Sequence, residues 1–201
     1  MPYLFKNDFV TPHENNWRRC LAEFAGKPSL NLLEVGSQEG RSAIWFLENI
    51  LTHETSSITC IDLFFSEIFY NNISKFAKKV RLLRGDSSFL LRHEFFLNPV
   101  YDIIYIDGGH HASEVLSDAI LSFTSLRIGG VLIFDDYLWK QTYEYVDRTL
   151  ELSEERIRRL EPKIAIDSFI DVYSDNFDIV HKGYQVIIRK KELANIYNKL
   201  G

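Results

Sequence analysis

The chain has 201 residues, 46% of them apolar and 14% aromatic, which suits one domain with a real core and excludes a disordered chain. A net charge of −5 and a pI near 5.7 leave no basic footprint for nucleic acid, and the sequence has no unbroken apolar stretch of the about 18 residues needed to span a membrane. The two cysteines, Cys20 and Cys60, form no CxxC pattern, so neither a zinc site nor a disulfide framework is expected, and a reducing, cytoplasmic setting fits best.

Residues 1–28 precede the first strand-like run. Their opening, MPYLFKNDFVTPHENNW, has charges early and no long apolar stretch, so it does not read as a secretory leader. Trp17, Leu21 and Phe24 share one helical face. This predicts an N-terminal helical extension that packs on a sheet or lies over a site as a lid, followed by a main domain over 29–201.

Short, nearly continuous apolar runs then predict strands at 30–35, 58–63, 80–84, 101–107 and 130–134, as expected of strands buried on both faces. Helical patterns separate them. Residues 41–51 present Ile44, Leu47 and Leu51, and 66–79 present Phe69, Ile73, Phe76 and Ala77. Residues 113–123 present Leu116, Ala119, Ile120 and Phe123. Alternating strand and helix imply a doubly wound, mostly parallel sheet. ELSEERIRRLE (151–161) pairs charges four residues apart and reads as an exposed helix. Pro162 suits a first helical turn, with Ile166, Phe169, Ile170 and Tyr173 as its apolar face. FDIVH (177–181) and YQVIIRK (184–190), joined by Lys182-Gly183, predict a terminal antiparallel hairpin and bring the sheet to seven strands. The fold class expected is thus α/β and Rossmann-like.

The candidate functional residues fall at strand ends. Strand one runs into Glu34-Val35-Gly36-Ser37-Gln38-Glu39-Gly40-Arg41-Ser42, a glycine-rich turn whose backbone N–H groups can approach a ligand closely. Gly36-x-x-x-Gly40 lacks the three glycines of a dinucleotide fingerprint. S-adenosylmethionine (SAM) has no pyrophosphate and does not need them. Glu34 is placed to hold an ammonium through water or backbone. Asp62, with Leu63 beside it, ends strand two where a carboxylate reaches ribose hydroxyls. Asp86 and Ser87 end strand three, where a polar group borders a nucleobase, or where Gly-Asp-Ser is an ordinary turn.

Strand four ends Asp107-Gly108-Gly109-His110-His111 and strand five ends Asp135-Asp136. Adjacent strand ends would gather Asp107, Asp135 and Asp136, and three carboxylates in one cleft call for a hard divalent cation such as Mg²⁺. His110 lies on the loop above and is the candidate base, with His111 as its competitor. His13, His53, His93 and His181 have no acidic cluster near them in sequence and read as structural or exposed. Phe64, Phe65, Tyr137 and Trp139 are candidates for an apolar wall, or for core.

With these motifs in place, LLEVGSQEGRSAIWFLENIL, ITCIDLF, VRLLRGDS, YDIIYIDGGHHASEVLSDAI, IGGVLIFDDY and GYQVIIRKK resemble bacterial class I SAM-dependent methyltransferases of the methyltransferase domain 24 type, over residues 30–190. The turn and the paired aspartates also resemble metal-dependent O-methyltransferases of the catechol and macrolide-sugar kinds. The resemblance implies SAM contacts from Glu34, Gly36, Ser42, Asp62 and Ser87, with Ser37, Gly40, Leu63, Asp86 and Asp107 completing the expected cofactor shell. It implies metal binding by Asp107, Asp135 and Asp136, and a base at His110. Histidine and Asp136 are nearer the macrolide-sugar pattern, since catechol enzymes carry lysine and asparagine there. The expected activity is Mg²⁺-assisted O-methylation of a small hydroxylated partner, a sugar or secondary metabolite, without nucleic acid or membrane and with homo-oligomerisation left open. The alternatives are a silent SAM- or nucleotide-binding module, which does not need the Asp107, His110, Asp135, Asp136 set, and an NAD-dependent dehydrogenase, which the missing middle glycine and the hairpin disfavour.

Overall fold

The computed structural model describes residues 2–97, 100–140 and 152–192. Among these, strands β1 (Asn31–Val35), β2 (Ser57–Asp62), β3 (Val80–Arg84), β4 (Tyr101–Ile106), β5 (Leu126–Phe134), β6 (Phe177–Lys182) and β7 (Val186–Lys190) form one sheet in the order β3-β2-β1-β4-β5-β7-β6. The first five pair in parallel, and β7 pairs antiparallel with both β5 and β6. From β1 the chain winds outward through β2 to β3, then returns to β4 and winds the other way. The crossovers therefore diverge between β1 and β4, and a crevice opens at their carboxyl ends.

The helices are α1 (Glu14–Cys20), α2 (Arg41–Asn49), α3 (Glu67–Ile73), α4 (Ser87–Leu97), α5 (Ala112–Thr124), α6 (Glu154–Arg158) and α7 (Pro162–Val172). They cover both faces of the sheet, so the strands alternate between two cores. Ile103 and Tyr105 join Trp17, Phe46 and Leu47 on one face, while Ile104 and Ile106 join Phe123, Phe134 and Phe169 on the other. All six β4 residues are buried, which is why the strand reads as a nearly continuous apolar run, broken by Asp102.

Several expected elements take a different form. The helix expected over 66–79 stops at Ile73 and tightens into a 3₁₀ stretch over 74–79, where Phe76 still packs inward but Ala77 turns to solvent. On α5 the buried face is Val115, Asp118, Ala119, Ser122 and Phe123, and Ile120 is 39% exposed, a step of about 100° around the helix from Ala119. Strand β5 begins at Leu126 rather than 130, across a register shift opposite Tyr101 and Ile103. The exposed helix of 151–161 shrinks to α6, with Glu154–Arg158 and Glu155–Arg159 pairs and Ile157 buried, while residue 151 lies outside the described residues. Tyr184 and Gln185 belong to the hairpin turn instead of β7.

Candidate active site

A cleft of about 1400 Å³ lies along the carboxyl ends of β1, β2, β4 and β5. Its floor is the turn from β1 into α2. Gly36 has φ +85°, and a Cβ there would stand 1.9 Å from the carbonyl oxygen of Asp107, so only glycine lets β1 and the β4 loop approach this closely. Glu34 lies wholly buried beneath the turn, taking the hydroxyls of Ser37 and Ser42, each at 2.6 Å. Burial pushes its carboxyl up to about 7 against these two donors. Glu34 and Gly40 are thus not on the cleft wall. Glu34 braces the turn from below, and Gly40, at φ +79°, starts α2 against the Phe69 ring. Ser37 and Ser42 do line the cleft.

Asp62 ends β2 on the floor, beside this turn. Its Oδ2 accepts the backbone N–H groups of Ser37 and Gln38 at 2.9 and 3.0 Å, and its Oδ1 that of Phe64 at 3.1 Å. One carboxylate thereby ties the first turn to the second strand end. Leu63 and Phe64 stand beside it, 70% and 59% exposed. Asp86 and Ser87 line the same end of the cleft. Asp86 caps the start of α4 through Phe89 N–H at 3.0 Å, and the Ser88 hydroxyl holds its carboxyl below the ordinary value. Asp118 backs this end from α5. It is buried, with one oxygen lacking a partner among the described residues, and burial raises it to about 6.

The β4 and β5 strand ends are adjacent. Ile106 pairs with Phe134, Asp107 N–H reaches Val35 O at 2.8 Å, and Asp135 N–H reaches Ile106 O at 3.0 Å. This places Asp107, Asp135 and Asp136 on one wall of the cleft. The Tyr105 hydroxyl touches Asp107 Oδ2 at 2.9 Å and also Asp135 Oδ2. Burial, followed by the neighbouring carboxylates, raises Asp107 far above its ordinary value; burial and Asp136 raise Asp135. Asp136, at φ +57° in the left-handed region, directs one oxygen to the Tyr184 hydroxyl at 2.9 Å and the other to His110 Nδ1 at 2.8 Å. That bond to Asp136 is the main reason the His110 imidazole is pushed up. His110 also packs on Trp139, ring centroids 5.1 Å apart, whereas His111 caps α5 and stands off the cleft lining.

Among the described residues, no three His, Cys, Asp or Glu side chains form a ready metal cage. The chemistry of the donors suits a hard cation all the same. The one Tyr105 proton is shared between the carboxylates of half-buried Asp107 and buried Asp135, so their close negative charges call for a further proton or a positive ion.

The residues missed in sequence come from far along the chain. His13 lines the cleft, stacks on Tyr184 at 5.5 Å, and lies near enough to Asp135 to favour its ionised form. It is brought there by residues 3–13, which are tethered by paired Leu4–Asn72 bonds of 2.9 and 2.7 Å, by Lys6 N–H to Glu39 at 2.7 Å, and by Arg41 to Asp8 and Glu14, each at 3.3 Å. Trp17, by contrast, is buried in the core against Phe46. Of the four aromatics considered for a wall, Phe64 and Trp139 line the cleft, while Phe65 and Tyr137 are core.

Comparison with solved structures gives the same fold at low identity. The MycE methyltransferase of the mycinamycin biosynthetic pathway, solved with Mg, SAH and mycinamycin VI, superposes with a TM-score of 0.70 at 15% identity, covering 95% of this chain and 52% of its own. This chain therefore spans about half the length of that protein. An O-methyltransferase from Bacillus cereus in complex with SAH superposes with a TM-score of 0.63 at 18% identity, covering 93% of this chain and 84% of its own. No curated protein matches the chain in sequence. The methyltransferase-domain family model Methyltransf_24 matches residues 33–137, from the second residue before Val35 to the end of the Asp135-Asp136-Tyr137 segment. With just over half its length matched, on the class I methyltransferase fold, the chain belongs to the Methyltransf_24 family of methyltransferase domains.

Proposed function

We propose that this protein is a SAM-dependent O-methyltransferase that methylates a hydroxyl of a small molecule, a sugar or a secondary metabolite, with the help of a divalent cation, Mg²⁺ foremost. One observation carries this reading: Asp107, His110, Asp135 and Asp136 stand on the wall of the same cleft whose floor is the Gly36–Ser42 turn and Asp62. The cofactor would lie across that floor, its ribose at Asp62, its base toward Asp86 and Ser87, and its remaining contacts from Gly36, Ser37, Ser42, Leu63 and Asp107. Glu34 and Gly40 serve by shaping the turn. Residues 1–28 form a helical extension, whose segment 6–13 closes the acceptor side of the 29–201 methyltransferase domain. A cytoplasmic setting is consistent with two free, buried cysteines.

Methyl transfer from a sulfonium is an in-line displacement. The acceptor oxygen bonds to the methyl carbon as the carbon–sulfur bond breaks, the electron pair stays on sulfur, and the hydroxyl proton leaves. His110 takes that proton on Nε2, because its Nδ1 is held by Asp136, and the same carboxylate stabilises the imidazolium that results. A cation held by Asp107, Asp135 and Asp136 would supply Lewis acidity that lowers the hydroxyl pKa. His13 and Trp139, beside Asp135 and His110, restrict water around the reacting atoms.

The test is methyl transfer from SAM to a panel of hydroxylated small molecules, followed by mass spectrometry with EDTA and with added Mg²⁺. Activity should vanish in EDTA and return with Mg²⁺. Full activity in EDTA would remove the cation while leaving the SAM reading in place.

A further inference from the structure

Trp17 and Gln185 are 168 residues apart and both buried, yet they form one hydrogen-bonded chain that ends on Asp135. Trp17 Nε1 donates to Gln185 Oε1 at 2.7 Å, and Gln185 Nε2 donates to Asp135 Oδ2 at 2.9 Å. An indole N–H can only donate, so it claims the oxygen of the carboxamide. That turns the NH₂ group, also donor only, toward Asp135. The orientation of the amide is therefore set from α1. The indole is itself immobilised, stacked on Phe46 at 4.8 Å with its edge to Trp45 at 5.0 Å and to Tyr105 at 5.3 Å. Core packing does not require this arrangement, because an apolar side chain at 185 would fill the space without desolvating an amide.

The consequence falls on the two oxygens of Asp135. Oδ2 receives Gln185 and lies against the Tyr105 hydroxyl, so both of its acceptor directions are covered. Among the described residues, Oδ1 receives only the Asp136 N–H, at 2.7 Å, and keeps one lone pair unclaimed. We propose that Trp17 and Gln185 are positioning residues that hold the Asp135 carboxylate so that Oδ1 is the atom offered to the divalent cation. This rests on the cation reading given above. It makes α1 and the hairpin turn joint supports of the site.

The test is Mn²⁺ binding to the SAH-loaded protein, followed by electron paramagnetic resonance, for the wild type, Gln185→Leu and Trp17→Phe, with SAH affinity measured alongside. Gln185→Leu should weaken Mn²⁺ binding by roughly 10–100-fold, the usual effect of losing a group that orients a metal ligand, while SAH affinity stays at its wild-type value. Trp17→Phe keeps an aromatic ring but frees the amide to flip, and should weaken Mn²⁺ in the same direction by less. Unchanged Mn²⁺ affinity in Gln185→Leu overturns the inference, as does a parallel loss of Mn²⁺ and SAH, which marks general damage. The wild type supplies a check that needs no variant: the Trp17 indole proton should be protected from solvent exchange in NMR, and rapid exchange overturns the chain of bonds. A wild type that binds SAH but no Mn²⁺ overturns the inference together with the cation and leaves the cofactor reading intact. A wild type that binds no SAH removes the methyltransferase reading beneath both.

Discussion

Asp62 and His110 carry the most direct residue-scale consequences. Asp62 already receives three backbone N–H groups, which hold its carboxyl along the cleft edge. Asp62→Ala should weaken SAM binding by about 1–3 kcal/mol, the value of a charged acceptor lost from buried hydroxyls, as read by calorimetry. Unchanged affinity with an intact fold would take Asp62 out of the site. His110→Ala should lower turnover by roughly 10²–10⁴ with SAM affinity preserved. The pH profile gives a second handle on the same residue. A base works in its neutral form, and Asp136 raises the His110 imidazole above its ordinary value of 6.5. The acid limb of the rate profile should therefore lie above 6.5, and activity should fall as pH drops through it. A limb below 6.5, or the same loss in His111→Ala with none in His110→Ala, would reassign the base.

The β1–α2 turn shows how an element turns local sequence into a site. Gly36→Ala would set a Cβ 1.9 Å from the Asp107 carbonyl oxygen, at a φ of +85°, so β1 and the β4 loop must part. A loss of about 3 kcal/mol or more in denaturant unfolding is expected, with SAM binding lost as well. Beneath the turn, Glu34 links stability to pH. Its folded carboxyl is raised from 4.5 to about 7, so the folded state prefers the proton. Stability from this group is full below 4.5, falls as the unfolded chain ionises between 4.5 and about 7, and stays at its lower level above that. The loss across this window is roughly 3 kcal/mol, and Glu34→Gln should flatten the slope in urea titrations at successive pH values. A slope that the substitution leaves unchanged would show that Glu34 is not its source.

The sequence made these elements legible to different degrees. Strand ends carrying Gly36, Asp62, Asp107 and Asp135 stood out because buried parallel strands are short, apolar and bounded by turns. Helix 66–79 did not, because its period changes at Ile73 from α to 3₁₀ winding, and Ile120 did not, because α5 buries two polar residues, Asp118 and Ser122, that a hydrophobic pattern ignores. His13, Tyr184 and Gln185 were hidden for another reason. They lie in an N-terminal segment and a hairpin turn, and only the closing of the sheet brings them beside Asp135 and Asp136.

At the scale of the whole molecule, the sheet order places every proposed participant on one edge. Reversal of winding between β1 and β4 opens the crevice, β5 brings the paired aspartates, and the antiparallel β7 returns the chain so that Tyr184 and Gln185 reach them. Residues 3–13 then cross the cofactor turn through Glu39 and Arg41, so the acceptor side and the cofactor side share one brace. Every one of these roles requires a SAM-like ligand in the cleft. Calorimetric titration of the purified protein with S-adenosylhomocysteine, beside an identical titration with NAD, tests that most directly. Binding of S-adenosylhomocysteine with a Kd of about micromolar, near −8 kcal/mol, no heat from NAD, and a clear loss in Asp62→Ala is the expected result. A folded protein that gives no heat with S-adenosylhomocysteine, or that prefers NAD, would contradict it.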